Sequence, residues 1–304
     1  MADESQEPFF AVLQPREIAA MTGTTVSPTL GPAARRDEVR RRFVAAVEPF
    51  TADEETALVA VVGGVRERLR PHYPLVANRP WLFVKFSDTL VGGFPHTRGP
   101  WIFLGARFVH RVTAAHAEGG RTATLRGVES TLVHEQMHVV ERYEPERFKS
   151  LFIERFGFRF GKIEPNAWLD ERRISNPDAM RAEWAFPIDR DGRRRWYSMQ
   201  MLLRDGPEVP LMGRDFEFVG VQVEPTATGF RPILADGRPI VEPIRELKGY
   251  VDRFPTSSGL DHPNELAAYL FSAVYSSDES LPTDGASADD RLTPYRRWFR
   301  DHLK

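Results

Sequence analysis

The sequence predicts an α+β fold, with a β-rich insertion and a mainly helical C-terminal part. Three observations support this prediction. An H-E-x-x-H sequence, His134-Glu135-Gln136-Met137-His138, lies in an apolar run with helical periodicity. Two strand-like apolar runs precede it. After residue 158, glycine and proline become frequent and apolar runs become short, and helical patterns return from residue 243.

Length and composition permit an ordinary globular core and restrict the chemistry. The 304 residues are 41% apolar and 28% charged, enough for one large domain or two small ones. The net charge is −2 and the arginine runs are interleaved with acids or lie in a hairpin, so we expect no nucleic-acid partner. Because cysteine is absent, disulfides, thiolate ligands and a cysteine nucleophile are excluded.

The sequence carries no sign of a membrane segment. Its first residues, Met1-Ala2-Asp3-Glu4-Ser5, lack the basic-then-apolar layout of a signal peptide. The longest aliphatic stretch, residues 57–65, is too short to span a bilayer. We therefore expect a cytoplasmic protein without a membrane partner, and the sequence leaves the oligomeric state open.

Local patterns predict the elements in order. Residues 1–33 form a lead-in rich in turn formers, residues 34–276 the main domain with its β-rich insertion at about 158–243, and residues 277–304 a polar loop and terminal helix. Before the motif we predict a helix at 34–47 and a second helix that begins at the capping box Thr51-Ala52-Asp53-Glu54 and ends at about 69. Two strands follow, at 81–86 and 101–104, with a turn-rich loop at 92–100 between them. A helix at 108–117 then leads to the motif.

From the motif onward, helices and hairpins alternate. Thr122 or Thr124 can cap the motif helix, residues 125–140, and Pro145 opens the next helix, to about 156. Asp191-Gly192 and Asp236-Gly237 predict β-hairpin turns. The remaining predictions are helices at 243–254, after Pro263, and at 294–303.

The motif has a specific chemical interpretation. Histidines four apart on a helix share one face, so His134 and His138 can bind one ion, at about 2.0–2.1 Å if it is Zn²⁺. Glu135 is then placed to act as general base on an activated water. The alternative is an amphipathic helix with two exposed histidines.

A catalytic zinc usually has three protein ligands, so a third is needed. Positions 141 and 144 are both glutamate, which excludes the layout H-E-x-x-H-x-x-G-x-x-H. Glu265 is the leading candidate, in the first turn of the helix after Pro263, although an acid there also suits a helix dipole. Asp178 and Glu183 are rivals. Glu141 is interpreted as a partner of a metal ligand or as a solvated charge.

These motifs resemble a known family. His134-Glu135-x-x-His138 together with Asn264-Glu265-x-x-Ala268 is similar to the zincin metallopeptidases of the gluzincin type. A looser resemblance, to uncharacterised bacterial predicted metallopeptidases, comes from these runs: His96-Thr97-Arg98-Gly99, Phe156-Gly157-Phe158, Asn176-Pro177-Asp178 and His262-Pro263-Asn264-Glu265.

The resemblance implies a zincin-like catalytic domain over residues 34–276, with a small mixed sheet over a metal-binding helix. It implies that His134, His138 and Glu265 bind Zn²⁺ and that Glu135 is the base. It also implies that an edge strand, for which we take residues 101–104, pairs with an extended peptide or protein substrate.

Two questions stay open at this point. The oxyanion needs a second electrophile, and Tyr250 and His262 are the first candidates, with Tyr269 and Arg98 as others. The substrate is also open, since the fold does not settle it. A metal-dependent enzyme acting on a small molecule is the alternative, followed by an inactive zincin-fold binding protein. A carboxylate-bridged di-iron site would need a second E-x-x-H, which the chain lacks.

Overall fold

The computed structural model describes residues 13–119, 122–178, 183–277 and 290–304. Residues 1–12 of the predicted lead-in and most of the predicted polar loop lie outside the described part. In chain order the α-helices are α1 (Pro15–Thr22), α2 (Pro32–Ala45), α3 (Ala52–Leu69), α4 (Pro74–Asn78), α5 (Ala106–Ala117), α6 (Ala123–Tyr143), α7 (Pro145–Ser150), α8 (Ala167–Asp170), α9 (Lys248–Val251), α10 (Pro263–Ser277) and α11 (Thr293–His302).

Strands and short helical turns complete the architecture, which confirms the α+β class. In chain order the strands are β1 (Val47–Glu48), β2 (Leu82–Phe86), β3 (His96–Arg98), β4 (Trp101–Gly105), β5 (Arg159–Phe160), β6 (Lys162–Ile163), β7 (Trp184–Arg190), β8 (Arg193–Leu203), β9 (Phe216–Pro225), β10 (Gly229–Pro232), β11 (Leu234–Ala235), β12 (Arg238–Pro239) and β13 (Val241–Pro243). The part of the chain that the structure describes also has four helical turns of the 3₁₀ or π type, namely Val91–Gly93, Leu151–Phe156, Ile244–Glu246 and Asp290–Leu292.

The chain divides into two compact units. The first comprises Met1–Ala46, Thr89–Gly92 and Lys149–Leu266, and the second comprises Val47–Asp88, Gly93–Phe148 and Ala267–Lys304. The dividing point near the C-terminus falls inside α10, between Leu266 and Ala267, so most of that helix belongs to the second unit.

The first unit is built on a seven-stranded sheet, the β-rich region that the sequence predicted. Its order is β5-β7-β8-β9-β10-β6, with β13 paired to β9. Val219, Val221 and Val223 alternate inward along β9 and pack with Leu202 of β8 and Phe230 of β10. This alternation is the period-2 pattern of a strand with one buried face.

Both predicted hairpin turns are present. Asp191 and Gly192 join β7 to β8 with φ angles of 54° and 71°. Asp236 and Gly237 join β11 to β12 with φ angles of 51° and 78°. Two successive left-handed residues match the twist of the flanking strands, which explains the Asp-Gly sequence at each turn.

The second unit contains the small mixed sheet. Its order is β1-β2-β4-β3, with β2 and β4 parallel and the two outer pairs antiparallel. The prediction that residues 101–104 form an edge strand is wrong, because β4 is paired on both sides. The residues that cover it, His96–Arg98, were expected to form a loop and instead form β3. The His96 ring stacks on Phe103 across this pairing, with centroids 5.2 Å apart.

The motif helix α6 packs on this sheet and on neighbouring helices. The Thr122 hydroxyl accepts a hydrogen bond from the Leu125 N–H at 3.1 Å, which satisfies one open donor at the helix start. Leu132 and Val139 of α6 are buried in a core that includes Ile102 of β4 and Phe108 of α5. Among the described residues, no helix has the length and apolarity needed to cross a bilayer.

Candidate metal centre

Two histidines converge on one side of α6. His134 is half-buried and His138 is buried, and their Nε2 atoms lie 3.0 Å apart. The two rings meet nearly at right angles, with centroids 4.6 Å apart. A spacing of four residues places side chains one above the other on a helix, and the structure turns the same nitrogen of each ring toward a common point.

A buried carboxylate orients one of these rings. His138 Nδ1 lies 3.0 Å from Glu141 Oε2, and both side chains are about 1% exposed. An ionised carboxylate only accepts hydrogen bonds, so Nδ1 carries the proton and donates it. The lone pair of His138 Nε2 is therefore directed toward His134. Of the two interpretations of Glu141, the structure shows the partner of a candidate ligand and not the solvated charge.

The third candidate ligand, Glu265, lies on α10. Single ligand atoms of His134, His138 and Glu265 all lie within 4.8 Å of one another. Glu265 is in the first turn of α10, which begins at Pro263, and its side chain is buried. Within the described part of the chain, neither Asp178 nor Glu183 belongs to a group of this kind.

Contacts inside the second unit fix α10 against α6. The Tyr269 ring lies against the His134 ring, with centroids 4.4 Å apart. Six residues farther along α10, the Tyr275 hydroxyl donates to Glu129 Oε2 of α6 at 3.1 Å. These two contacts set the register of the helices independently of Glu265.

An ion pair from α3 reinforces this arrangement. Arg68 lies 2.5 Å from Glu129 and also donates from Nε to the Tyr275 hydroxyl at 2.9 Å. Glu129 is only 2% exposed, so its charge is stabilised by the guanidinium and the phenol and not by water. Burial, and next the Glu129 carboxylate, raise the pKa of Tyr275, which therefore remains a donor at neutral pH. This cluster was not predicted from the sequence, where its signal is a glutamate on the apolar side of a helix.

The donor set fits a divalent transition metal. Two imidazole nitrogens and one carboxylate oxygen are the ligands of one class of catalytic zinc site. Zinc bonds of about 2.0–2.1 Å in a tetrahedron would place ligand atoms about 3.3 Å apart. The two Nε2 atoms, at 3.0 Å, are already near that separation. The Glu141 contact adds the carboxylate partner that metal-binding histidines usually have.

The remaining predicted catalytic residues are placed differently. Glu135 is buried on α6, next in sequence to His134. Tyr250 lies in an aromatic core of the first unit against Phe158 and Phe186, and its hydroxyl donates to the Leu260 carbonyl at 2.8 Å. Burial, and then Asp261, raise the pKa of Tyr250 well above its usual range. The hydroxyl proton of Tyr250 is therefore engaged inside this core.

His262 is the residue that precedes α10. Its Nδ1 accepts a hydrogen bond from the Asn264 N–H at 3.2 Å, and its carbonyl accepts from the Leu266 N–H at 3.0 Å. The imidazole therefore satisfies an open donor at the start of the helix that carries Glu265. This contact accounts for Nδ1 of His262, and the role of its ring as electrophile stays a prediction. The other two candidates, Tyr269 and Arg98, lie on α10 against His134 and on β3 respectively.

Comparison with protein-family models, curated proteins and solved structures gives no significant match. The geometry of the His134, His138 and Glu265 cluster therefore supports the functional proposal by itself. The gluzincin resemblance stays a prediction from the motifs.

Proposed function

We propose that this protein is a zinc-dependent metallopeptidase. The observation that carries the proposal is the convergence of His134, His138 and Glu265 within 4.8 Å on two helices. Neighbouring side chains already orient the cluster, through the Glu141 contact to His138 and the Tyr269 contact to His134. Such pre-orientation is typical of functional metal sites and unusual for a chance grouping of surface residues.

Each side chain then has a distinct task. A bound Zn²⁺ would supply Lewis acidity, which activates a water and polarises a carbonyl. Glu135 accepts the proton of the attacking water and delivers it to the leaving amine, the work of a general base and then a general acid. Glu141 keeps the His138 proton on Nδ1, so that Nε2 stays available.

The end strand of the small sheet is held beside the motif helix. β3 ends the strand order of the four-stranded sheet. Arg142 of α6 donates to the Thr97 hydroxyl of β3 at 3.1 Å and to the Gly99 carbonyl at 2.8 Å. These bonds hold the end strand beside the helix with both histidines. The three residues of β3 are buried, so other parts of the protein cover this end strand and we assign it no part in holding a peptide.

Metal analysis of the purified protein, paired with digestion of a broad peptide library, tests the proposal. Glu135→Gln removes the base and keeps all three ligands, so we expect zinc to be retained and cleavage to be lost. Glu67→Gln, the same change at an exposed position of α3, is the matched control. Zinc binding without cleavage by the unmodified protein would favour the small-molecule enzyme. A protein that binds no zinc would refute the metal site.

A further inference from the structure

A side chain of the first unit holds the third candidate ligand. Asn176 Nδ2 donates a hydrogen bond to Glu265 Oε1 at 2.6 Å. Glu265 is only 7% exposed, so this amide and not bulk water satisfies one of its oxygens. The hydrogen bond restricts rotation of the carboxylate, one oxygen of which lies within 4.8 Å of the candidate ligand atoms of His134 and His138.

The amide of Asn176 is itself fixed in orientation. Its Oδ1 accepts a hydrogen bond from the Asp178 N–H at 2.9 Å, which forms a local turn through Pro177. A flipped amide would place its NH₂ against that N–H and its oxygen against the Glu265 carboxylate. Only the observed orientation satisfies both contacts, so the turn determines that the donor faces Glu265.

The backbone before Asn176 is anchored at several points. The Ile174 N–H donates to the Met201 carbonyl of β8 at 2.9 Å, and Arg173 forms a bridge with Leu202. The Ser175 N–H donates to the carboxylate of Glu17 on α1. The segment is thus bound to the sheet on one side and to an N-terminal helix on the other, which limits movement of the Asn176 side chain.

We propose that Asn176 is a positioning residue for Glu265, a role that rests on the proposed metal site. A glutamate side chain loses rotamer freedom on binding an ion, a cost that weakens binding. A hydrogen bond that holds the side chain in place before binding reduces that cost. Asn176 acts through Glu265 and contacts no substrate in this role.

Two substitutions distinguish the hydrogen bond that Asn176 donates to Glu265 from the local turn that its side-chain oxygen forms with Asp178. Asn176→Ala removes both the turn acceptor and the donor to Glu265. Asn176→Asp keeps an oxygen for the Asp178 N–H but places a carboxylate, without the donor, against Glu265. Asn78→Ala, at an exposed position of α4, is the matched control. If Asn176→Ala fails to fold, Asn176→Asp still tests the positioning role, because it retains the turn.

The measurement is the Zn²⁺ dissociation constant, by competition with a chromophoric chelator, alongside the visible spectrum of the Co²⁺-loaded full chain. We expect both Asn176 variants to bind Zn²⁺ about 10–100-fold more weakly and to change the Co²⁺ spectrum, with Asn78→Ala unchanged. Unaltered affinity in Asn176→Asp would overturn the positioning role and leave the metal site standing. If the unmodified protein binds no Zn²⁺, both proposals are wrong.

Discussion

Replacing Glu17 by glutamine tests whether a buried carboxyl makes the protein less stable as the pH rises. Glu17 is 1% exposed on α1 and accepts hydrogen bonds from the Ser175 N–H and, at 3.2 Å, the Gln14 N–H. Burial raises its pKa from 4.5 to about 7, against the lowering effects of these N–H groups and of the Arg173 charge. Glutamine has nearly the same shape and cannot ionise.

The direction and size of the effect follow from the two pKa values. The folded protein binds the Glu17 proton more tightly than the unfolded chain does, so folding is favoured at low pH. The stability from this group is complete below pH 4.5, falls as the pH rises, and is lost above about 7. One pH unit between the two values corresponds to about 1.4 kcal/mol, so the full change is about 3 kcal/mol.

Urea unfolding of both proteins from about pH 5 to about pH 8 measures this effect. The difference in unfolding free energy between Glu17→Gln and the unmodified protein should shift in favour of the variant by about 2.5 kcal/mol over this range. Comparing the two proteins cancels the contributions of all other titrating groups. Glu67→Gln, at an exposed helical position, should show no such shift.

If the difference in unfolding free energy between the two proteins does not change with pH, the pKa of Glu17 is not raised. The carboxyl group would then not be shielded from water as the structure shows. A shift of the opposite sign would show that the N–H donors and Arg173 outweigh burial, with the carboxylate ionised and stabilising at neutral pH.

Four further predictions concern the candidate metal centre and its support. Glu265→Ala should weaken Zn²⁺ binding by more than about 100-fold, a larger loss than is usual when only a hydrogen-bond partner of a ligand is removed. Unchanged Zn²⁺ binding in equilibrium dialysis would reject Glu265 as a ligand. Glu141→Ala should weaken binding by about 10–100-fold, measured by chelator competition, and should spare the fold. Glu129→Ala should lower the free energy of urea unfolding by about 3 kcal/mol, because Arg68 and Tyr275 both lose the carboxylate that they contact. A loss below about 1 kcal/mol would contradict the contribution of that ion pair. Free Zn²⁺ at 100 times its dissociation constant should raise the unfolding free energy by about 2.7 kcal/mol, and a chelator should reverse the gain.

The elements predicted correctly are those specified by neighbouring residues. Thr122 caps α6, and the two Asp-Gly pairs adopt the left-handed angles that hairpins require. The edge strand of the small sheet was predicted wrongly, because residues 101–104 lie inside it. A three-residue strand such as His96–Arg98 is too short to show an alternating pattern, so its pairing with β4 has no local signal.

Within the candidate site, sequence alone determined that His134 and His138 share a face, because helix geometry places residues four apart together whatever surrounds them. Tertiary structure decided the rest. It brought Glu265 to the histidines, engaged Tyr250 in an aromatic core, and buried Glu129 and Glu17. Which polar groups lose water, and which partners replace it, depends on packing between segments far apart in the chain, and no local pattern encodes that outcome.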